Sequence, residues 1–184
     1  MDYDEFHPII YPPPVQTVYI QHYPSPCGEI VLGAAGEELC LCDWSGRPCA
    51  EKNMRRLQRM LGAEFIEENS PALERARAEL DEYFSGNRTS FDIPLRPVGT
   101  PFQMSVWDAL VEIPYGQTST YRQIALRVDN LRGIRAVAQA IGANGLAIFI
   151  PCHRVIGSDR SLTGFAGGLQ AKKLLLKLEQ SALR

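Results

Sequence analysis

The sequence predicts an α/β (α+β) protein in two parts. A small antiparallel sheet with helices comes first, and a mostly helical half containing a helix-turn-helix follows. Three observations predict it. Short β-rich runs punctuated by Pro and Gly fill residues 17–46. From Cys49 onward, apolar residues recur three and four apart, the helical period. Between the two parts lies an extended, Pro-punctuated stretch, "NRTSFDIPLRPVGTP". A length of 184 residues accommodates two small domains, and 45% hydrophobic with 22% charged residues is ordinary for a chain with a real core.

The opening "MDYDEFHPIIYPPP" reads as a flexible arm over 1–16. It has no basic segment followed by an apolar one, and no apolar run in the chain approaches membrane-spanning length. A cytoplasmic protein (nuclear in a eukaryote) with no membrane partner is expected. An N-terminal α/β domain is predicted over 17–90. Its strands are "TVYIQHYP", "GEIVLGAAG" and "ELCLCDWSG", and its helices are "CAEKNMRRLQRML" and "SPALERARAELDEYFSG". Ser70 caps the second helix and Pro71 is its first residue. Residues 91–99 are predicted as the linker.

Over 100–184 the pattern is helical. Thr100-Pro101 opens a helix with Phe102, Val106, Ala109, Leu110 and Ile113 on one side, and Pro114-Tyr115-Gly116 ends it. Thr120 and Gln123 have capping-box spacing before "YRQIALRV". After the short turn "DNLR", "GIRAVAQAIGAN" places Ile134, Val137, Ala138 and Ile141 at helical spacing. Two short helices joined so tightly fit a helix-turn-helix, a pattern that any helical bundle also contains. Arg132 and Arg135 on the second helix, among small residues, could reach phosphates or enter a base stack.

Net charge is −2, but it is unevenly spread. Residues 95–184 hold 11 Lys and Arg against 5 Asp and Glu, while residues 1–94 hold 8 against 16. A polyanion would therefore meet the second half. Five cysteines, an odd number, argue against a disulfide framework in an unexported chain. Cys40 and Cys42 alternate as in a strand, so both are expected on one sheet face as small buried hydrophobes. A zinc site would need His22 and Cys27 to join them; no metal is expected.

The most informative stretch is "AIFIPCHRVIG" at 147–157. Pro151 should stop an apolar strand and fix the approach to Cys152. A lone cysteine, histidine or arginine is usually structural. A thiol, an imidazole and a guanidinium in succession after Pro151 are hard to explain as packing, and they are the ingredients of an activated nucleophile.

These residues, with "GFAGG" at 164–168, "FQMSVWDALVEIPYGQTSTYRQIA" at 102–125, "RAVAQAIGAN" at 135–144 and "KKLLLKLE" at 172–179, resemble the O6-alkylguanine-DNA alkyltransferases. The resemblance covers the whole C-terminal half; the first half matches only in general plan. It implies repair of double-stranded DNA without a cofactor. The protein flips out an O6-alkylated guanine, takes the alkyl group on a cysteine, and acts once, as a monomer. It implies Cys152 as nucleophile, with His153 as base through a water and Glu179 holding the imidazole. For that relay, a turn or helix start is required at Cys152. Asn144 would brace the cysteine turn, and Tyr121 would donate to the leaving guanine. The carbonyls of Cys152 and Val155 would accept from the exocyclic amine. Phe165 would pack on the base and the Ala166 N–H would face O6. Arg135 would fill the place of the flipped base, and Arg122, Asn130 and Ser158 would touch phosphates.

Three departures from the family pattern bear on substrate preference and rate. Phe165 stands where a tyrosine is usual, and Ala166 where a serine can contact O6. Asp159 and Arg160 stand where a glycine is common. An alkyltransferase-like lesion binder would lack the reactive cysteine. A helix-turn-helix regulator with Cys152 as sensor would need a dimer interface. A Cys-His hydrolase would need a distant base.

Overall fold

The computed structural model describes residues 15–182, so nearly all of the expected 1–16 arm lies outside the described residues. Strands β1 (Gln16–Ser25), β2 (Gly28–Ala35) and β3 (Glu38–Trp44) form the expected antiparallel meander. Helix α1 (Pro48–Leu61) then crosses over, Gly62 turns the chain at φ +63°, and a short β4 (Ala63–Ile66) pairs parallel with β1. The order is β3-β2-β1-β4. The sheet is therefore mixed rather than antiparallel. Its fourth strand is only four residues long and has no turn dipeptide to announce it. Parallel pairing depends on the crossover helix, which is a tertiary feature.

The two faces of the sheet are both covered. Val31, Ala35 and Leu41 lie under α1, against Ala50 and Leu57. Ile30, Leu32 and Ala34 face α2 (Pro71–Phe84), against Leu73, Ala76 and Leu80. Ser70 caps α2 as expected, accepting from the Leu73 N–H at 3.3 Å. The pairing of β2 with β3 shifts register between Gly33 and Ala34, leaving Cys40 as the extra residue of a bulge. Both cysteines are buried as expected, but they do not share a face. The bulge rotates the strand, so Cys40 packs under α1 while Cys42 faces the opposite layer. The four-residue metal group conceived from Cys27, Cys40, Cys42 and His22 is not brought together, and no cluster of three or more metal-ligating side chains exists among the described residues.

The stretch expected as a linker is fastened to β3. The Leu39 N–H donates to the Pro94 carbonyl at 2.9 Å, the Arg96 N–H donates to the Leu39 carbonyl at 2.8 Å, and Ile93 is buried. Beyond it, α3 (Pro101–Val111) and α4 (Tyr121–Arg127) each begin with a complete capping box, Thr100 with Gln103 and Thr120 with Gln123. A 3-10 turn at Leu131–Gly133 leads into α5 (Ile134–Gly142), completing the helix-turn-helix. Helix α6 (Gly168–Ser181) closes the fold. Two-residue strands β5 (Ser119–Thr120) and β6 (Val155–Ile156) pair in parallel. One continuous core joins both halves, running from Leu32 and Leu80 through Trp107 and Ile124 to Leu175.

Candidate active site and nucleic-acid interface

The apolar run before Pro151 is a buried turn, not the strand expected. Its first residues touch β3: the Cys42 N–H donates to the Gly145 carbonyl at 2.7 Å, and the Ala147 N–H donates to the Cys42 carbonyl at 2.9 Å. Then Ile148 takes φ +73° and the Ile150 N–H closes back on the Leu146 carbonyl at 2.8 Å. All four apolar side chains are buried, which a run enclosed on every side achieves without strand alternation. Pro151 leads into a 3-10 turn, Cys152–Arg154, so Cys152 sits at a turn start, as the relay requires.

Asn144 staples this segment. Its amide donates to the Ile150 carbonyl at 2.9 Å and its oxygen accepts from the Leu146 N–H at 3.0 Å. Burial pushes the Cys152 thiol up to about 11; the bond from Asn144 and the Lys172 charge pull it down, and Asp43 pushes it further up. The resting group is therefore a thiol, and it needs a base to react at neutral pH.

An imidazole stands on the same turn. His153 is fully buried, and its Nε2 lies 2.7 Å from Glu179 Oε1. A carboxylate only accepts, so Nε2 carries the proton and Nδ1 keeps its lone pair. Nδ1 is buried with no protein partner. Burial lowers the imidazole pKa and Glu179 opposes that fall, so the resting ring is neutral and able to take a proton.

Glu179 is the hub. It is fully buried and accepts from Tyr83 Oη at 2.8 Å, from Arg154 Nε and Nη2 at 2.9 and 3.0 Å, and from the Gly116 N–H at 3.0 Å, besides His153. Burial alone would raise its pKa, but the bonds from His153 and Arg154 outweigh that and hold it down at about 2. Arg154 also donates to the Ile113 carbonyl at 2.6 Å, which pins the turn to the end of α3. The charge is paired, forked and bonded on all sides, the condition under which burial of an ion pair is tolerable.

Tyr121, Ile134, Arg135, Thr163, Phe165 and Ala166 line an open cleft of ≈ 700 Å³, and the Phe165 ring lies 6.4 Å from that of His153. The β5–β6 pairing ties its walls to the Cys152 turn, because Ser119 and Thr120 stand opposite Val155 and Ile156. Tyr121 follows directly, at the start of α4, and its hydroxyl accepts from Thr163 Oγ1 at 3.3 Å. Phe165 stacks edge-on against Trp44 of β3 at 5.0 Å. Gly167 allows that approach, since a Cβ there would collide with the Trp44 indole. Arg135 is exposed on α5 and Arg122 on α4. Asn130 is half-buried, filling the space beside Gly133 at the head of α5, and Ser158 is exposed in the loop after β6. In that loop Arg160 takes φ +66°, and Asp159 accepts from both the backbone N–H and hydroxyl of Ser161, at 3.0 and 2.6 Å. The loop thus adopts a left-handed residue without glycine.

Four residues that sequence reasoning left without a role join the site. Arg154 and Tyr83 complete the shell of Glu179. Lys172 is fully buried and donates to the carbonyls of Val155 and Thr163 at 2.6 and 2.8 Å, joining the nucleophile segment to the cleft loop. One signal was available for Lys172: it lies seven residues before Glu179, two helical turns away and on the same face. Asn53 of α1 had no such signal. Its amide reaches Asp43 at 2.8 Å and the Asn144 carbonyl at 3.4 Å, bracing the Asn144 turn from behind.

Two family models match this chain. Residues 18–97 match "6-O-methylguanine DNA methyltransferase, ribonuclease-like domain", and residues 101–181 match "6-O-methylguanine DNA methyltransferase, DNA binding domain". The chain belongs to the 6-O-methylguanine DNA methyltransferase family. Among relatives of this methyltransferase, a methylated-DNA–protein-cysteine methyltransferase of Haemophilus influenzae is 42% identical over 165 residues, 89% of this chain and 87% of the relative. One of Methanosarcina barkeri is 50% identical over 140 residues, 73% and 89% of the two chains. The crystal structure of the Mycobacterium tuberculosis O6-methylguanine methyltransferase superposes with a TM-score of 0.76 at 36% identity, covering 90% of this chain and 94% of that one. A structure of the mycobacterial protein in complex with DNA matches equally well.

Proposed function

We propose that this protein repairs double-stranded DNA by direct reversal, moving the alkyl group of O6-alkylguanine onto Cys152. The observation that carries the reading is the Cys152–His153 turn, with Glu179 locking the imidazole so that its bare Nδ1 can receive the thiol proton. The proton passes from Cys152 through a water to His153. The thiolate then attacks the alkyl carbon, a C–S bond forms and the C–O6 bond breaks. The electron pair goes to guanine, whose charge is met by a hydrogen bond from Tyr121. The thioether is stable, so each molecule reacts once.

The remaining roles belong to the same proposal. Asn144 holds the nucleophile turn and favours the thiolate. The carbonyls of Cys152 and Val155 face the exocyclic amine; Val155 already accepts from Lys172, but a carbonyl oxygen has a second lone pair. Phe165 packs on the base and the Ala166 N–H serves O6. Arg135 enters the duplex where the base has left, while Arg122, Asn130 and Ser158 contact phosphates. The protein is expected to act as a monomer. No described helix is long and apolar enough to cross a membrane, and the expected site of action is the cytoplasm, or the nucleus of a eukaryote. The first half, 17–90, braces the second, 100–184, through the fastened segment 91–99.

Duplex DNA carrying a labelled O6-methyl group tests the reading. Label transferred to protein and mapped to Cys152 supports it. Binding without transfer would favour a lesion binder or regulator, and label released as a small molecule would favour a hydrolase.

A further inference from the structure

A second cleft, of ≈ 640 Å³, adjoins the first, and Cys49 and Gly142 line both. It runs between α1 and the C-terminal end of α5. Lys52, Arg55, Arg56 and Arg59 line it and no acidic side chain does. Their spacing, i, i+3, i+4 and i+7, puts all four on one face of α1. This concentration stands in the acidic half of the protein. Arg56 is structural: it donates to the Ala143 carbonyl and to Asn53, both at 2.8 Å, and bolts α1 to the end of α5. Even so, its buried Nε has no partner. Among the described residues, neither Lys52 nor Arg59 has an acidic group within 4 Å, and Arg55 has only an exposed contact with Glu51 at 3.6 Å. Burial lowers the Arg56 pKa, and repulsion from Arg59 adds to that fall. Like charges gathered along a concave surface, next to the cleft that holds Arg135, fit a chain of phosphates.

We propose that Lys52, Arg55 and Arg59 hold the sugar–phosphate backbone of the same duplex whose base enters the neighbouring cleft. The first half of the chain would then bind DNA as well as brace the second. This rests on the repair reading above, and the two can fail separately.

The test compares the protein with its Lys52→Ala/Arg55→Ala/Arg59→Ala variant and with a Lys173→Ala/Lys177→Ala control on α6. Affinity for an unmodified duplex is measured by fluorescence anisotropy across a salt series, and thermal melting checks folding. Each lost phosphate contact removes about 0.9 from the slope of log affinity against log salt. The triple variant should lose about 2 to 3 from that slope and bind at least ~10-fold more weakly at low salt, while the control keeps the parent slope. An unchanged slope in the triple variant would overturn the proposal, as would an equal loss in the control. A single Lys52→Glu variant, should the triple variant melt early, is expected to weaken binding further than Lys52→Ala; equal binding by the two would also count against it. Failure of the parent protein to take label from methylated duplex would instead overturn the repair reading.

Discussion

The knot around Glu179 and the exposed face of α4 and α5 contain similar residues and use them in opposite ways. In the knot, Arg154 is buried, forked onto a carboxylate and fixed by a carbonyl. On α5, Arg135 is exposed at the rim of a cleft. The first arrangement suits chemistry, which needs fixed distances and a low dielectric. The second suits a substrate that arrives in many sequence contexts, where the side chain must move into place. Substitutions in the knot should therefore affect every substrate, and substitutions on the rim should affect only duplex DNA.

The largest effect is expected at the nucleophile. Cys152→Ser should abolish label transfer while keeping DNA binding, checked by a stoichiometric transfer assay beside an anisotropy titration. Label on Cys27 or Cys40 instead would put the site elsewhere. Next comes Glu179→Ala, which leaves Arg154 buried and unpaired. It should cost roughly 3–5 kcal/mol of stability, read by denaturant melting, and slow transfer from duplex and from free O6-benzylguanine alike. A melt shifted by under 1 kcal/mol would mean that water replaces the carboxylate, and the contrast would blur.

Arg135→Ala sharpens the comparison from the other side. Under the proposed role, the arginine would offset an unstacking cost of a few kcal/mol, so duplex repair should slow by about 10²-fold, while free O6-benzylguanine should react at close to the parent rate. Equal losses on both substrates would make Arg135 part of the pocket itself. The smallest effect is a pH dependence. The Glu179 pKa is lowered on folding, to about 2, so its contribution to stability is present above the ordinary carboxylate range and is lost as pH falls toward 2. The parent should lose thermal stability between pH 4.5 and 2, and a Glu179→Gln variant should lose most of that acid sensitivity; an unchanged acid limb would assign it to other carboxylates.

Local chemistry alone determined a good deal. Capping boxes, Pro at helix starts and turn dipeptides act over three or four residues, so the ends of α2, α3 and α4 were legible without the fold. The succession Pro151-Cys152-His153-Arg154 announced reactive chemistry for the same reason: adjacent side chains share one turn. Glu179 and Asn144 were legible only through resemblance, because nothing local links a helix-end glutamate to a histidine 26 residues earlier. Tertiary structure decided the rest. The bulge at Cys40 reversed the face of a cysteine, since one extra residue shifts a period of two. Burial on every side turned the apolar run at 147–150 into a turn, because periodicity reports a face only when one side meets water. The parallel β4 and the reach of Asn53 to Asn144 depend on where α1 lands after crossing the sheet, and a crossover is set by what the whole sheet must cover.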